Sequence, residues 1–368
     1  MTDTYGGIAI NSNTLERVRV SSKEIEGYQN RPGDLFFVRS SLKLEGVGNC
    51  CVLLFNQPQS VFECHLIRVR PDKSEVDPLF MAYLCRSPSI RKQILAFAQT
   101  TTMTTLPQNC LGKCLLPLPD VIEQYKIAEI LSTWDEAIEQ TRKLIETKKR
   151  CKKALMQQLL IGTRRLPGFG GPKRINSRFP GDWECLRAQD LFQVRSIKGC
   201  GNEAILSVTQ DDGVVPRDAL ERRIEASEAN TDSYKLVAPG DFVISLRSFQ
   251  GGIEYSRFRG IVSPAYHVIR PKKRIDDTYY KYYFKSYDFV GHLAVAVIGI
   301  RDGKQVSYND FSFMNLPYPT VTEQKAIGHI LSASDQEIEI LESKLNALEK
   351  QKRGLMQKLL TGEVRVNV

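Results

Sequence analysis

The sequence predicts an α+β fold in which two mixed, strand-rich globular domains are separated by two long helices that form an intramolecular antiparallel coiled coil. Three observations lead to this prediction: a gapless internal repeat, a heptad pattern in each copy, and short β-rich runs elsewhere. The segment Leu116–Arg165 returns at Leu316–Arg365 without a gap. About 20 of the 50 paired positions are identical, which indicates a duplication and a pseudo-twofold internal repeat.

Each copy of the repeat is expected to begin a long helix. Both copies open with a Pro-x-Pro sequence, at Pro117–Pro119 and Pro317–Pro319, which keeps the chain extended before the helix starts. Glu123-Gln124 and Glu323-Gln324 follow in the first turn, where a carboxylate suits the positive end of the helix dipole.

Apolar residues at alternating spacings of four and three form a coiled-coil seam on each helix. The seam residues are Ile127, Leu131, Trp134, Ile138, Ile145, Leu155 and Leu159 in the first copy, and Ile327, Leu331, Ile338, Leu341, Leu345, Leu348, Leu355 and Leu359 in the second. Polar residues take the remaining seam positions: Thr141, Lys148, Lys152, Ser334 and Lys352. Each helix is expected to end at a glycine, Gly162 or Gly362.

A long amphipathic helix also serves commonly as a dimerisation device between chains. Here both seams lie in one polypeptide, so each has a high effective concentration for the other, and the pattern favours the intramolecular pair. The folded sequence between the helices suits an antiparallel arrangement.

The sequence outside the helices predicts short strands and short helices. The expected strands are rich in β-branched and aromatic residues: Phe36–Arg39, Cys51–Phe55, Val61–Val69, Ala204–Val208, Asp241–Leu246 and Ala265–Ile269. Two shorter sequence similarities link the domains: Pro32-Gly33-Asp34 matches Pro239-Gly240-Asp241, and His65–Pro71 resembles His267–Pro271. We therefore expect one fold with diverged loops.

Composition shifts set the expected domain boundaries. They are 1–115 for the first variable domain, 116–162 for the first helix, 163–179 for a surface linker rich in glycine, proline and basic residues, 180–315 for the second variable domain, 316–362 for the second helix and 363–368 for a tail. Compared with the second domain, the first is expected to lack roughly 25 residues, including the counterpart of Pro180–Trp183.

Charge and cysteine content narrow the class of protein. The net charge of +9 and the pI near 9.0 make an anionic partner plausible, most often nucleic acid. The nine cysteines have no metal-binding spacing, and Cys64-His65 is better explained as ordinary strand residues than as a site. With no signal peptide and no apolar stretch long enough to span a bilayer, we expect a cytoplasmic protein with reduced thiols.

The order of a globular domain, Pro-x-Pro-x-x-x-Glu-Gln, and a long helix ending Leu-Met-Gln-x-Leu-Leu-x-Gly, then the same again, resembles the specificity subunit of type I restriction-modification enzymes. The resemblance covers nearly the whole chain. It implies that each variable domain is a target recognition domain reading one half of a bipartite DNA sequence. It also implies that the coiled coil sets the spacing and docks two methyltransferase subunits, which restriction and translocase subunits then join.

Catalytic motifs are missing from the sequence. There is no Asn/Asp-Pro-Pro-Tyr/Phe motif for amino methylation, and Gly299–Lys304 has the wrong spacing for a phosphate-binding loop. We expect a non-catalytic subunit with no cofactor or metal of its own. By the resemblance, its partners would use S-adenosylmethionine, ATP and Mg.

Arginine, lysine and small polar residues in the predicted loops are the candidates for contact with double-stranded DNA, because they pair with base edges and phosphates. They are Arg39, Ser40, Lys43, Thr101, Thr102 and Thr104 in the first domain, and Arg247, Ser248, Gln250, Arg257, Arg259, Arg301, Lys304 and Gln305 in the second.

Two other functions remain open from the residues alone. One is a coiled-coil scaffold whose variable domains bind peptides or proteins, and the other is an enzyme fusion with its own nuclease or methyltransferase. Steep salt dependence of DNA binding would argue against the scaffold, because counterion release accompanies phosphate contact. Activity of the isolated chain would support the fusion.

Overall fold

The chain divides into two units, each of which combines parts of both repeats. The computed structural model describes residues 4–10, 15–100, 102–210, 212–219, 231–246, 248–297 and 306–367. Unit 1 consists of Met1–Lys143 with Glu342–Val368, and unit 2 is Leu144–Leu341. Each unit therefore contains the beginning of one long helix and the end of the other.

Unit 1 is built on a three-stranded antiparallel sheet in the order β3-β1-β4, with a smaller sheet in the order β2-β6-β5. Its elements are α1 (Ser22–Tyr28), β1 (Leu35–Val38), β2 (Ser40–Ser41), β3 (Cys50–Val52), β4 (Leu66–Val69), α2 (Pro78–Arg86), α3 (Pro88–Ala96), β5 (Gln99–Thr100), β6 (Thr104–Thr105), α4 (Gln108–Leu111) and the first part of α5 (Val121–Leu159). The core lies between the larger sheet, α2, α3 and the helix segments, where Phe80, Leu84 and Leu131 are buried.

Unit 2 is built on a four-stranded antiparallel sheet in the order β13-β12-β15-β8, accompanied by three two-stranded pairs, β10-β9, β11-β14 and β16-β7. Beyond the end of α5, its elements are β7 (Glu184–Arg187), α6 (Ala188–Leu191), β8 (Phe192–Arg195), β9 (Leu206–Thr209), β10 (Gly213–Pro216), β11 (Lys235–Val237), β12 (Phe242–Ile244), α7 (Ser248–Gly251), β13 (Glu254–Tyr255), β14 (Gly260–Val262), β15 (His267–Pro271), α8 (Asp277–Tyr283), α9 (Tyr287–Val297), α10 (Tyr308–Ser312), β16 (Asn315–Tyr318) and the start of α11 (Val321–Leu360). Aromatic rings fill its core, among them Phe192, Tyr280 and Phe284.

The helix segments run antiparallel within each unit, as the sequence predicts. In unit 1, Asp135 pairs with Lys352 at 2.5 Å and Glu123 with Arg365 at 2.6 Å, so the residue number rises along one helix as it falls along the other.

Unit 2 shows the same order. Lys148 pairs with Glu337 at 2.5 Å, Lys152 pairs with Asp335, and Arg165 pairs with Glu323 at 2.5 Å. The α+β class with paired long helices is therefore confirmed.

The predicted seam coincides with the covered face of both helices. None of the seam positions is exposed, and Ile127, Leu131, Ile327 and Leu331 are almost completely buried. The last helical residues are Leu159 and Leu360, and Gly162 and Gly362 follow with φ of 69° and 74°, a conformation that favours glycine as the helix ends.

The two shorter sequence similarities between the domains correspond to the same turn and ion pair in each unit. In unit 1, Gly33 adopts φ 95° in a turn, and the buried carboxylate of Asp34 accepts bonds from Arg70 on two oxygens at 2.6 and 2.7 Å. In unit 2, Arg270 likewise donates to the buried Asp241 at 2.7 Å. In each unit an ion pair therefore joins the turn to a neighbouring strand. By this shared arrangement, β1 and β4 of unit 1 are the counterparts of β12 and β15 of unit 2.

Two expectations need correction. The strand predicted over Val61–Val69 begins only at Leu66, and each domain has substantial helices, α2 and α3 or α8 and α9, that the strand-rich pattern understated. Most residues of the segment 163–179 are exposed and none lies in a helix or strand named above, but both ends of the segment are anchored. The side chain of Arg165 is only 4% exposed, and Leu166 and Phe179 pack into the core of unit 2.

None of the described helices is long and apolar enough to cross a membrane.

Candidate nucleic-acid interface

A buried glutamine attaches each variable domain to its long helix. Gln124 accepts a bond from the N–H of Asp77 at 3.0 Å and donates to the carbonyl of Pro119 at 2.8 Å. Asp77 is also the N-cap of α2, where it accepts from the N–H of Phe80. One side chain therefore fixes the extended approach, the helix start and the neighbouring domain helix.

Gln324 repeats this attachment in unit 2. It accepts from the N–H of Asp276 at 2.8 Å and donates to the carbonyl of Pro319 at 2.8 Å, and Asp276 caps α8 by accepting from Tyr279. Both glutamines are almost completely buried, so their amides depend on these partners.

The glutamate before each glutamine pairs with an arginine just beyond the glycine that ends the opposite helix. Glu123 accepts two bonds from Arg365, at 2.8 and 2.6 Å, and these bonds lower the pKa of Glu123. Glu323 accepts two bonds from Arg165, at 2.5 and 2.9 Å. Bidentate pairs of this kind are directional and strong. The helix-dipole interpretation missed them, although the two arginines are aligned and identical in the repeat.

A third network involves the lysines on the helix seam. In unit 1, the Tyr83 hydroxyl donates to Asp135 at 2.6 Å, and Lys352 donates to the same carboxylate and lies 5.2 Å from the Tyr83 ring centroid. Burial and the bond to Asp135 raise the pKa of Tyr83. The lysine is thus held by a carboxylate and an aromatic face.

Unit 2 repeats this network with Tyr282, Asp335 and Lys152. The Tyr282 hydroxyl donates to Asp335 at 2.5 Å, and Lys152 lies 5.3 Å from the ring centroid. Together, the three networks hold each variable domain on its helix pair in the same way. The loops of both domains are therefore carried on the same set of contacts between domain and helices.

In unit 1, the structure brings both predicted DNA-contact loops together. Ser40-Ser41 of β2 pairs with Thr104-Thr105 of β6, so the loop at Arg39–Lys43 lies beside the loop at Gln99–Thr105. Arg39, Lys43 and Thr102 are exposed. Thr101 lies outside the described residues.

Two unit 1 candidates have buried side chains. Ser40 is 5% exposed and its hydroxyl lies 2.5 Å from Nδ1 of His65, while Thr104 is 3% exposed. These two side chains support the loops in this structure, and their contact with DNA stays a prediction.

The unit 2 candidates divide in the same way. Gln250, Arg257 and Arg259 are exposed, and Arg259 pairs with Glu203 at 2.8 Å. Ser248 is 1% exposed, and its hydroxyl accepts the N–H of Ser245 inside the turn, so its contact with DNA stays a prediction. Arg247, Arg301, Lys304 and Gln305 lie outside the described residues.

Unit 2 also contains a cleft of mixed charge that the sequence did not reveal. Its cavity of about 760 Å³ is lined by Gln210, by the cations Lys152, Arg257, Lys281 and Lys285, and by the carboxylates Asp212, Glu254, Asp335 and Glu339. Burial, together with the charges of Arg257 and Lys152, lowers the pKa of Lys281. Two cations of the cleft are paired with its carboxylates, Lys285 with Glu254 and Lys152 with Asp335. The residues are far apart in sequence, so only the fold brings them together.

Comparisons with known proteins agree with this arrangement. The chain matches the sequence model of the type I restriction modification DNA specificity domain twice, over residues 7–148 and 180–350. It is 26% identical over 362 residues to the putative type I restriction enzyme MjaX specificity subunit of Methanocaldococcus jannaschii, covering 94% of this chain and 82% of that one. The MjaVIII specificity subunit of the same organism is 26% identical over 332 residues, covering 85% and 76%.

Two solved structures share the fold. The HsdS subunit from Thermoanaerobacter tengcongensis matches with a TM-score of 0.50 at 19% identity, over 91% of this chain and 82% of that one. The type I restriction-modification S subunit from M. genitalium matches with a TM-score of 0.52 at 15% identity, over 90% and 84%.

Proposed function

Because this chain belongs to the type I restriction-modification DNA specificity family, we propose that each of its variable domains reads one half of a bipartite DNA target. The chain is the non-catalytic DNA-specificity subunit of a type I restriction-modification system. Its two family matches correspond to the two variable domains with their helices.

One observation supports the recognition of two different half-sites: both units attach their variable domain by the same contacts, but the loops on the two domains differ. The glutamine, glutamate–arginine and tyrosine–aspartate–lysine networks recur in both units. The loops on the two domains do not recur. Unit 1 presents Arg39, Lys43 and Thr102, while unit 2 presents Gln250, Arg257 and Arg259. Two domains that are attached in the same way but carry different loops suit a DNA target whose two halves differ in sequence.

Within this function, the exposed residues divide by chemistry. Arg39, Arg257 and Gln250 have side chains that can pair with guanine or adenine edges, and the lysines suit phosphates. Lys281 occupies the position that Ala82 has in unit 1, next to the matching tyrosine. The two domains therefore differ at this position by one charge that can affect phosphate contact.

The paired helices are proposed to set the distance between the half-sites and to dock two methyltransferase subunits, which restriction subunits then join. Cofactors are proposed to bind to those partners: S-adenosylmethionine to the methyltransferase, and ATP and Mg to the rest of the complex. Within the described ranges, no three His, Cys, Asp or Glu side chains come together as metal ligands.

Binding by the purified chain with its methyltransferase tests this function. Retention of a duplex that carries the target should exceed that of a scrambled duplex, and the logarithm of affinity should fall steeply with the logarithm of salt concentration. A Lys344→Ala variant, altered on the exposed surface of α11, serves as the control for a lost charge. Equal, weakly salt-dependent retention of both duplexes would instead support a protein-binding scaffold.

A further inference from the structure

One loop of unit 1 exposes large apolar side chains next to cations. The turn after β2 contains Leu42, which is 83% exposed, and Arg39 and Lys43 are exposed on either side of it in the sequence. Leu44, directly after Lys43, is also 46% exposed. A single exposed leucine is ordinary, but neighbouring apolar side chains that remain in water typically mark a contact surface.

One loop of unit 2 has the same combination of residue types. Between β13 and β14, Phe258 is 42% exposed and lies between Arg257 and Arg259, which are exposed as well. Both Arg257 and Phe258 line the cleft of mixed charge, so this loop forms part of a concave surface. Each unit therefore presents a large apolar side chain that is flanked by cations.

A serine hydrogen bond fixes each of these two turns. In unit 1, the hydroxyl of Ser41 accepts the N–H of Lys43 at 3.2 Å, and Gly46 lies so close to the Ser41 side chain that a Cβ at Gly46 would collide with it. In unit 2, the buried hydroxyl of Ser256 accepts the N–H of Phe258 at 3.3 Å and donates to the Phe258 carbonyl at 2.9 Å. Hydrogen bonds of this kind restrict the backbone of a short turn. Both apolar side chains are therefore carried on turns of defined shape.

The two loops are not counterparts in the duplicated fold. The unit 1 loop follows β1 and β2, and the counterpart of β1 is β12, which leads into α7. The unit 2 loop lies further along the chain, between β13 and β14. Because the loops are not equivalent, their shared chemistry is not a remnant of the duplication. It indicates that both units meet the same kind of ligand.

The combination of an apolar side chain and flanking cations suits the interior of a DNA duplex. Arginine and lysine bind phosphates, which lie on both sides of every groove. Leucine and phenylalanine are among the side chains that proteins insert between base pairs, which partly unstacks them. Contact with one thymine methyl group needs only an apolar surface, whereas insertion also needs a large side chain on a fixed turn that is held to the backbone. Both loops meet all of these requirements.

We propose that Leu42 and Phe258 each insert between two base pairs of the half-site that their domain reads, while the flanking cations bind the phosphates on both sides. This inference rests on the proposed function. Unstacking a base step costs free energy, and pyrimidine–purine steps such as TA and CA unstack most easily. Insertion therefore adds a preference for a deformable step to the hydrogen bonds that the polar loop residues form with base edges.

The test uses the full chain with its methyltransferase and a duplex that carries the bipartite target found by mapping methylated sites. Fluorescent analogues, 2-aminopurine for adenine and pyrrolo-cytosine for cytosine, replace one base at a time outside the methylated position, because their emission rises when they unstack. We expect a rise at one step in each half of the target. Phe258→Ala should remove the rise in one half and weaken binding about tenfold, a typical effect of losing one contact between an aromatic ring and a base. Leu42→Ala should remove the rise in the other half.

Each alanine variant has a matched control in the same unit. Phe313→Ala and Leu115→Ala remove side chains that are 65% and 80% exposed outside these loops, and both should leave the fluorescence unchanged. Phe258→Leu, which copies the unit 1 side chain, should preserve the rise.

The outcomes separate insertion from other contacts. Selective retention of the target without any rise, or a rise that survives both alanine variants, would overturn the inference. Weaker binding of a duplex with uracil in place of thymine, again without a rise, would overturn it in favour of contacts with thymine methyl groups. Equal retention of target and scrambled duplexes would contradict the proposed function itself, and this inference with it.

Discussion

The two units hold their variable domains by the same contacts but complete them differently. Each domain is tied to its helices through a buried glutamine, a glutamate–arginine pair and a tyrosine–aspartate–lysine network. Unit 2 also contains β7, α6 and β8, which close its core, and Asp182 and Trp183 just before β7 cover Arg165; the described residues of unit 1 include no counterpart of β7 or β8. The contacts shared by both units attach a variable domain to the helices, whereas the elements found in one unit stabilise that domain itself.

Phe192→Ala is expected to have the largest effect on stability, because it makes the core of unit 2 resemble that of unit 1. Phe192 is fully buried among aromatic rings, so its truncation should cost about 3–5 kcal/mol. Hydrogen exchange of core amides would measure the loss in unit 2 and serve as its own control in unit 1. A loss below about 1 kcal/mol would mean that this segment does not close the unit 2 core.

Removing the two equivalent glutamates should have unequal effects. Glu323→Ala leaves the Arg165 guanidinium buried without this carboxylate, which should destabilise unit 2 by about 3–5 kcal/mol. Glu123→Ala leaves Arg365 in solvent and should cost about 1 kcal/mol or less. Denaturant unfolding followed by probes in each unit compares them, and equal losses would contradict the difference in burial.

Replacing exposed loop residues should weaken recognition of one half-site at a time. Arg39→Ala should reduce discrimination at one half by about 1–3 kcal/mol, and Gln250→Ala should do so at the other half, if each side chain contacts a base. Competition between duplexes substituted in either half measures this. A uniform loss across both halves would indicate phosphate contact, and no loss would exclude the side chain from the interface.

The smallest predicted effect is a pH dependence of unit 1. The bonds from Arg365 lower the pKa of Glu123 below its usual value near 4.5. A lowered folded-state pKa means that the stabilisation is complete above pH 4.5 and is lost as the pH falls through the folded value. A Glu123→Gln variant should lack this component, so the difference in unfolding free energy between the two proteins should shrink on acidification. A constant difference would contradict the assignment.

The sequence predicted the features that repeat and missed the contacts that join distant parts. The coiled-coil seam, the glycines that end the helices and the repeated Pro-Gly-Asp turn were predicted because their apolar pattern or identical residues recur at a fixed spacing. The ion pairs of Asp34 with Arg70 and of Glu323 with Arg165 were not, because their members lie 36 and 158 residues apart. Only folding brings such residues into contact.

The sequence predicted the positions of the candidate loops better than the exposure of their side chains. The loops at Arg39–Lys43 and Gln99–Thr105 meet in a small sheet, which pattern alone did not require. Ser40, Thr104 and Ser248 are buried because short hydroxyl side chains bond within strands and turns. The cleft of mixed charge was missed because Gln210, Arg257 and Lys281 come from separate elements.

Mapping methylated sites in DNA from cells that express this chain with its methyltransferase tests most directly whether two domains read two half-sites. We expect one asymmetric bipartite motif with a spacer of fixed length, and a Gln250→Ala, Arg257→Ala double variant should relax one half while preserving the other half and the spacer. A single contiguous motif, or simultaneous relaxation of both halves, would contradict the division of recognition between the two domains.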